Sequence, residues 1–149
     1  MIFLGMIFLG MIFDSCIWVG LAAGEVDRDA VLRVAGQAPV FISVISLGEL
    51  GFGVESCGDP AERAMRAANL RQFEGLPTLG ITRQTAAAFG LLAAAVKQKG
   101  RSPRPRYHDL WLAAQAIERN YALLTLNTAD FAHLPGLRLA SLQHGGRNC

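Results

Sequence analysis

Four acidic side chains stand out for where they fall: Asp14, Glu49, Asp109 and Asp130. Asp14 follows the apolar run Met11-Ile12-Phe13, and a carboxylate closing a buried strand is costly unless something pairs with it. Glu49 follows a second apolar stretch at 40–44, Asp130 follows another at 122–126, and Asp109 opens the helical pattern that leads into that stretch. Carboxylates crowded into one pocket repel one another, so keeping them ionised calls for a cation among them. Mg²⁺ or Mn²⁺ suits such a set, being a hard ion that takes carboxylate oxygens and keeps positions for water and phosphate oxygens. Such a site activates water for in-line attack at phosphorus, so hydrolysis of a phosphodiester is the chemistry these residues point to.

Three of the acids also suit a plainer role, Asp14 being the exception. Glu49 stands three residues after Ser46, a capping-box spacing. Asp109 in a first helical turn complements the helix dipole, and Asp130 in Asn127-Thr128-Ala129-Asp130 suits an Asx-type turn. These separate roles do not explain why all four should gather at one edge. His108 beside Asp109, and Trp18 and Trp111, could touch a nucleic acid, but a lone histidine suits a surface and both tryptophans sit in apolar helical patterns that suit a core.

What could gather the acids is a parallel sheet covered by helices on both faces, since short apolar runs alternate with longer helical patterns. The expected strands are 11–14, 40–44, 78–82, 122–126 and 137–141. Helices are expected at 17–23 and 27–35, then from near Ser46. A further one has Asp59 as N-cap, Pro60 in its first turn, Glu62 closing a capping box and an end near Gly75. Gln84 to Lys99 reads as a helix with Phe89, Leu92 and Val96 on one face, stopped by Gly100, and Asp109 to Arg119 as the last. In an open parallel sheet ligands bind beyond the carboxyl ends of the strands. Asp14, Glu49 and Asp130 fall there directly, and Asp109 joins them if its helix starts at that edge, as in a crossover to the far side of the sheet.

A chain of 149 residues makes one domain. A net charge of +2 excludes an indiscriminate polycation, yet five basic residues crowd together at Lys97, Lys99, Arg101, Arg104 and Arg106. A polyanion such as RNA could be gripped there, although cations also suit the end of a helix for its own sake. Three cysteines with no CxxC spell neither a zinc knuckle nor a disulfide framework and fit a reducing cytoplasm. The opening MIFLG-MIFLG-MIF is a five-residue repeat whose apolar run is too short to span a bilayer. Met11 is therefore read as the start of the fold, with 1–10 as a leader outside it, 11–142 as the domain and 143–149 as a flexible Gly-rich tail.

Four blocks carry a resemblance. Met11-Ile12-Phe13-Asp14-Ser15, Ser43 to Glu55 (SVISLGELGFGVE), Asp109 to Ala116 (DLWLAAQA) and Leu124 to Phe131 (LTLNTADF) are similar, in order and spacing, to those of VapC-type PIN-domain toxins. The resemblance implies a three-layer α/β/α sandwich and a Mg²⁺- or Mn²⁺-dependent endoribonuclease. It also implies a homodimer and neutralisation by a cognate antitoxin protein, with residues 47–73 forming a helical pair that helps hold it. It puts Asp14, Glu49, Asp109 and Asp130 where that family has its acids, Ser15 where it has a small hydroxyl residue, and Asn127 where it has a polar residue near the fourth acid. Cys16 is a departure, standing where the family often has Asn, a stronger hydrogen-bonding side chain. A second reading of the same resemblance is a PIN-fold partner of a DNA-binding protein that acts mainly in transcriptional control. A phosphatase or phosphotransfer domain on a similar sheet is disfavoured, since Cys16 stands where one such site wants a second Asp and no P-loop motif is present.

Overall fold

The computed structural model describes residues 9–142. Five parallel strands form one sheet: β1 (Met11–Phe13), β2 (Val40–Ser43), β3 (Thr78–Leu79), β4 (Ala122–Leu124) and β5 (Arg138–Ala140). Their order is β3-β2-β1-β4-β5, so the chain builds outward from β1 on one side and then crosses to build outward on the other. Seven helices connect them among the described residues: α1 (Ser15–Ala23), α2 (Arg28–Ala35), α3 (Val44–Glu55), α4 (Pro60–Glu74), α5 (Arg83–Gln98), α6 (Tyr107–Arg119) and α7 (Thr128–Phe131).

The strands read as unbroken apolar runs because both faces of the sheet are covered. Successive side chains point to opposite faces. Ile12 and Leu123 therefore enter a core with Leu92 and Val96 of α5 and Leu110, Ala113 and Ala114 of α6. Met11, Phe13, Ala122 and Leu124 enter the other, with Ile17 of α1 and Val31 and Ala35 of α2. Each aliphatic side chain fully buried this way contributes about 1.5–3 kcal/mol, which fixes β1 and β4 as the rigid centre of the molecule. The expected face of α5 is realised, with Leu92 and Val96 buried and Phe89 packed against them.

All five expected strands are present but shorter at their ends, α1, α3 and α6 each start two residues earlier than expected, and the capping of α3 and α4 differs from expectation. Ser43, the last residue of β2, caps α3 by accepting a hydrogen bond from Ile45 N at 3.0 Å. The helix thus begins at Val44, leaving Ser46 buried inside it and no capping box with Glu49. Asp59 caps α4 as expected, accepting from Glu62 N at 3.0 Å, but the Glu62 carboxylate turns to Arg66 instead of closing a box. A capping box does form at α5, between Thr82 and Thr85. A 3₁₀ turn at Arg104–Arg106 and the four-residue α7 were not expected.

The expected leader and tail fall mainly on residues 1–8 and 143–149, outside the described residues. Gly10 is described and is buried, its carbonyl accepting from Ala122 N at 3.1 Å. A Cβ there would stand 2.8 Å from the Tyr121 ring, which stacks on Phe41 at 5.3 Å. Gly10→Ala should therefore cost about 1–3 kcal/mol of stability. Denaturant unfolding checks this, and an unchanged midpoint would show that the Tyr121 ring yields freely. Among the described residues no helix is long and apolar enough to cross a membrane.

Candidate active site

Phe13 of β1 pairs with Leu124 of β4, so the residues that follow, Asp14 and Thr125, leave the sheet side by side at its carboxyl edge. That edge, beside β1 where the strand order reverses, is the switch point at which open α/β sheets bind ligands. Asp14 is buried and caps α1, one carboxylate oxygen accepting from Ser15 N at 2.8 Å. Its other oxygen accepts from the Thr125 hydroxyl at 2.8 Å. Thr125, itself fully buried, accepts in turn from Asn127 N at 3.0 Å. Sequence reasoning missed Thr125. Its signal was the same apolar-to-polar step that ends β1, Leu124-Thr125 repeating Phe13-Asp14.

Ser15 bridges to the next acid: its hydroxyl donates to Glu49 Oε1 at 3.3 Å and lies 3.5 Å from Asp14 Oδ1. Because α3 starts at Val44, Glu49 sits in its second turn, and the phase of that helix carries the carboxylate over the end of β1. Asp109, in the first turn of α6, lines the same cleft. The sulfur of Cys16 lies 3.7 Å from Asp14 Oδ2, and His108 Nδ1 lies 3.8 Å from Glu49 Oε2. Asp14, Ser15, Glu49, His108, Asp109 and Asn127 line one open cleft of about 500 Å³, with Arg104 and Tyr107 on its rim.

The fourth acid stands apart from the other three. Asp130 is not among the residues lining the cleft; it is held by Arg106, whose Nη1 donates at 3.1 Å. Its charge still reaches the site. Burial pushes the Asp14 carboxyl above the usual carboxylate range, against the pull of the Thr125 and Ser15 hydrogen bonds, and Asp130 adds to the rise. Asp109 is pushed up to about 6, first by burial, then by the charges of Asp14 and Asp130, with Arg106 opposing and Glu49 adding a little.

The expected basic cluster divides. Lys99 Nζ donates to the His133 carbonyl at 2.8 Å and Arg106 is taken up by Asp130. Lys97, Arg101 and Arg104 instead line a second cavity beside the first. The tryptophans pack as apolar residues should, Trp111 stacked on Phe89 at 4.0 Å and Trp18 against Phe13 at 5.0 Å.

The donor set around the cleft fits a hard cation: carboxylate and hydroxyl oxygens with one imidazole, in a place where added positive charge would relieve two raised carboxyls. Among the described residues no three such side chains already close on a single point, so holding an ion calls for side-chain rotation.

Fold and cleft together define the class. The family model for the PIN domain matches residues 11–137, and the chain belongs to that family. It is 30% identical over 129 residues to Ribonuclease VapC4 of Mycobacterium tuberculosis, covering 87% of this chain and 94% of the relative. It is also 30% identical over 135 residues to Ribonuclease VapC of Rickettsia bellii, covering 87% and 93%. The crystal structure of VapBC-5, a member of the VapBC family of toxin-antitoxin systems from Mycobacterium tuberculosis, superposes with a TM-score of 0.69 at 26% identity, covering 91% of this chain and 99% of that one. The three-layer sandwich expected from the sequence is thus the fold observed.

Proposed function

We propose that this chain is an endoribonuclease acting as the toxin of a toxin–antitoxin pair, and that Asp14, Glu49 and Asp109 hold Mg²⁺ or Mn²⁺ for hydrolysis of RNA phosphodiesters, joined by Asp130 when its carboxylate turns from Arg106 toward the ion. The observation that carries this reading is a buried, strongly oriented carboxylate, Asp14, facing Glu49 and Asp109 across a cleft at the sheet's switch point. Its relatives are named ribonucleases, and a solved neighbour belongs to a toxin–antitoxin system. A cognate antitoxin and a second copy of this chain are the protein partners that go with it. A partner serving only transcriptional control would have no use for a carboxylate kept buried against its own preference for water.

A bound divalent ion would supply an activated water and charge stabilisation at phosphorus. The chain's own residues do the positioning. Thr125 and the Ser15 N–H fix both oxygens of Asp14, and the Ser15 hydroxyl fixes Glu49 beside it. Arg106 holds Asp130 and neutralises part of the acidic field on Asp109. Arg104 on the rim supplies a guanidinium to grip a phosphate oxygen of the substrate. The decisive test is incubation of the folded, purified chain with single-stranded RNA over a range of Mg²⁺ and Mn²⁺. Fragments of defined length support the reading, and RNA left intact throughout overturns it.

Thr125→Val probes the positioning directly. The variant loses the hydroxyl that donates to Asp14 and accepts from Asn127 N, at a cost of about 1–3 kcal/mol in stability and roughly 10–100-fold in cleavage rate. That hydrogen bond lowers the Asp14 pKa, so without it the carboxyl titrates at higher pH. The acid limb of the pH–rate profile should move upward, and a profile that stays in place would remove Asp14 from the rate-controlling ionisation.

A further inference from the structure

The second cavity, about 510 Å³, opens between the end of α5 and the start of α6. Arg104 and Tyr107 line both it and the acidic cleft, so the two share a wall. Their chemistry is opposite. No carboxylate lines the second cavity, and Lys97, Arg101 and Arg104 all border it. None of the three has an acidic partner among the described residues, unlike Arg106.

The segment that carries them is built to stay in place. Gly100, at φ 78°, ends α5 in the left-handed conformation, which a residue without Cβ adopts at little cost. The turn is closed by Gly100 N donating to Lys97 O at 2.9 Å and Arg101 N to Val96 O at 3.2 Å. Pro103 and Pro105 then fix the backbone into the 3₁₀ turn. Tyr107 is 41% exposed, and its ring is braced edge-on by Phe89 at 5.3 Å, itself stacked on Trp111 at 4.0 Å. One side of the phenol ring is anchored in the core cluster while the rest is presented to the cavity and the cleft.

From this we infer that the cavity is a subsite for a nucleotide flanking the cleaved bond of a single-stranded RNA. Its phosphate lies among Lys97, Arg101 and Arg104, and its base stacks on Tyr107. The inference rests on the ribonuclease reading and adds to it where the strand runs: from the acids, over the Arg104–Tyr107 wall, into the cationic cavity. A base can stack on a side chain only when it is unpaired, so a duplex is refused at this position. Stacking one base on an aromatic ring is worth roughly a 5- to 150-fold gain in affinity.

The test measures binding of a fluorescein-labelled, mixed-sequence 20-nucleotide RNA by anisotropy, in Mg²⁺, with the Asp14→Asn chain so that nothing is cut. Adding Tyr107→Leu, which keeps an apolar contact for Phe89, should weaken binding at least fivefold, whereas Tyr107→Phe should not. Adding Arg101→Gln should weaken it and flatten the salt dependence by about one phosphate contact, a change of about 0.7 in the log–log slope for a single strand. With Asp14 restored, both weakening variants should raise KM more than they lower kcat. If the RNA binds and is cut but Tyr107→Leu behaves as the native residue, or a duplex binds equally well, the subsite is overturned and the ribonuclease reading stands. A native chain that neither binds nor cuts RNA overturns both.

Discussion

Replacing Asp14 with Asn should reduce RNA cleavage by roughly 10³-fold or more while leaving the protein folded and, at neutral pH, no less stable. The two halves have one cause. Asp14 is the acid on which the cleft is built, accepting at both oxygens from Ser15 N and Thr125. An Asn amide of similar shape keeps its oxygen for Ser15 N and turns its NH₂ to donate to the Thr125 oxygen, so the charge is removed and that one hydrogen bond reverses direction. Burial also raises its pKa in the folded state. A raised carboxyl favours folding fully only below its unfolded value of about 3.9, and that contribution is lost as pH rises through the folded pKa. At pH 7 the native chain therefore carries a buried charge that the Asn variant lacks. Melting the two proteins from pH 4 to pH 8 should show native stability falling more steeply toward neutrality. A folded variant that cuts RNA at the native rate would end the proposed role of this site.

Chelation should have a comparably large effect, and should be reversible. Excess EDTA is expected to stop cleavage, and Mg²⁺ or Mn²⁺ to restore it, because burial first and then the charges of Asp14 and Asp130 push Asp109 up to about 6, a penalty that a bound cation relieves. An ion that binds only the folded state at a hundred times its Kd adds about 2.7 kcal/mol, or roughly 10 °C in Tm for a chain of this size. The same rise should shrink below pH 6 as Asp109 takes up a proton, and should be much smaller in the Asp14→Asn chain. Cleavage at full rate in excess chelator would remove the metal from the mechanism. A melting temperature indifferent to both ions would remove it from this cleft.

The sheet was legible because its strands are buried on both faces, so Met11-Ile12-Phe13 and Ala122-Leu123-Leu124 stand out as apolar blocks, each ended by a polar residue, Asp14 and Thr125. Asp14 was legible for the complementary reason, as an acid where hydrophobic burial should continue. The start of α3 was not, since Ser43 and Ser46 are both competent caps and spacing cannot choose between them. The one that leaves the strand first takes the role. Thr125 was hidden because a β-branched residue after Leu124 reads as more strand. Its bond to Asp14 depends on β1 and β4 being neighbours, which chain order does not state. The division of the basic cluster was equally invisible. Whether Lys99 or Lys97 borders the second cavity depends on where the α5 C-terminal turn faces, and Arg106 is claimed by an acid 24 positions away.

The strand order also governs when the protein comes to exist. β1 is made before the rest of the sheet, yet the neighbour that completes it is β4, and the hydroxyl that fixes Asp14 belongs to a residue 111 positions downstream. Pairings so distant in the chain form late, because the intervening loop must be closed before any contact rewards it. At about 5–20 residues per second on the ribosome, the nascent polypeptide passes roughly 5–20 s with its first acid in place and neither Asp109 nor Thr125 yet synthesised. Whatever the assembled cleft does to RNA, it is withheld from the message still being translated until most of the domain has been made.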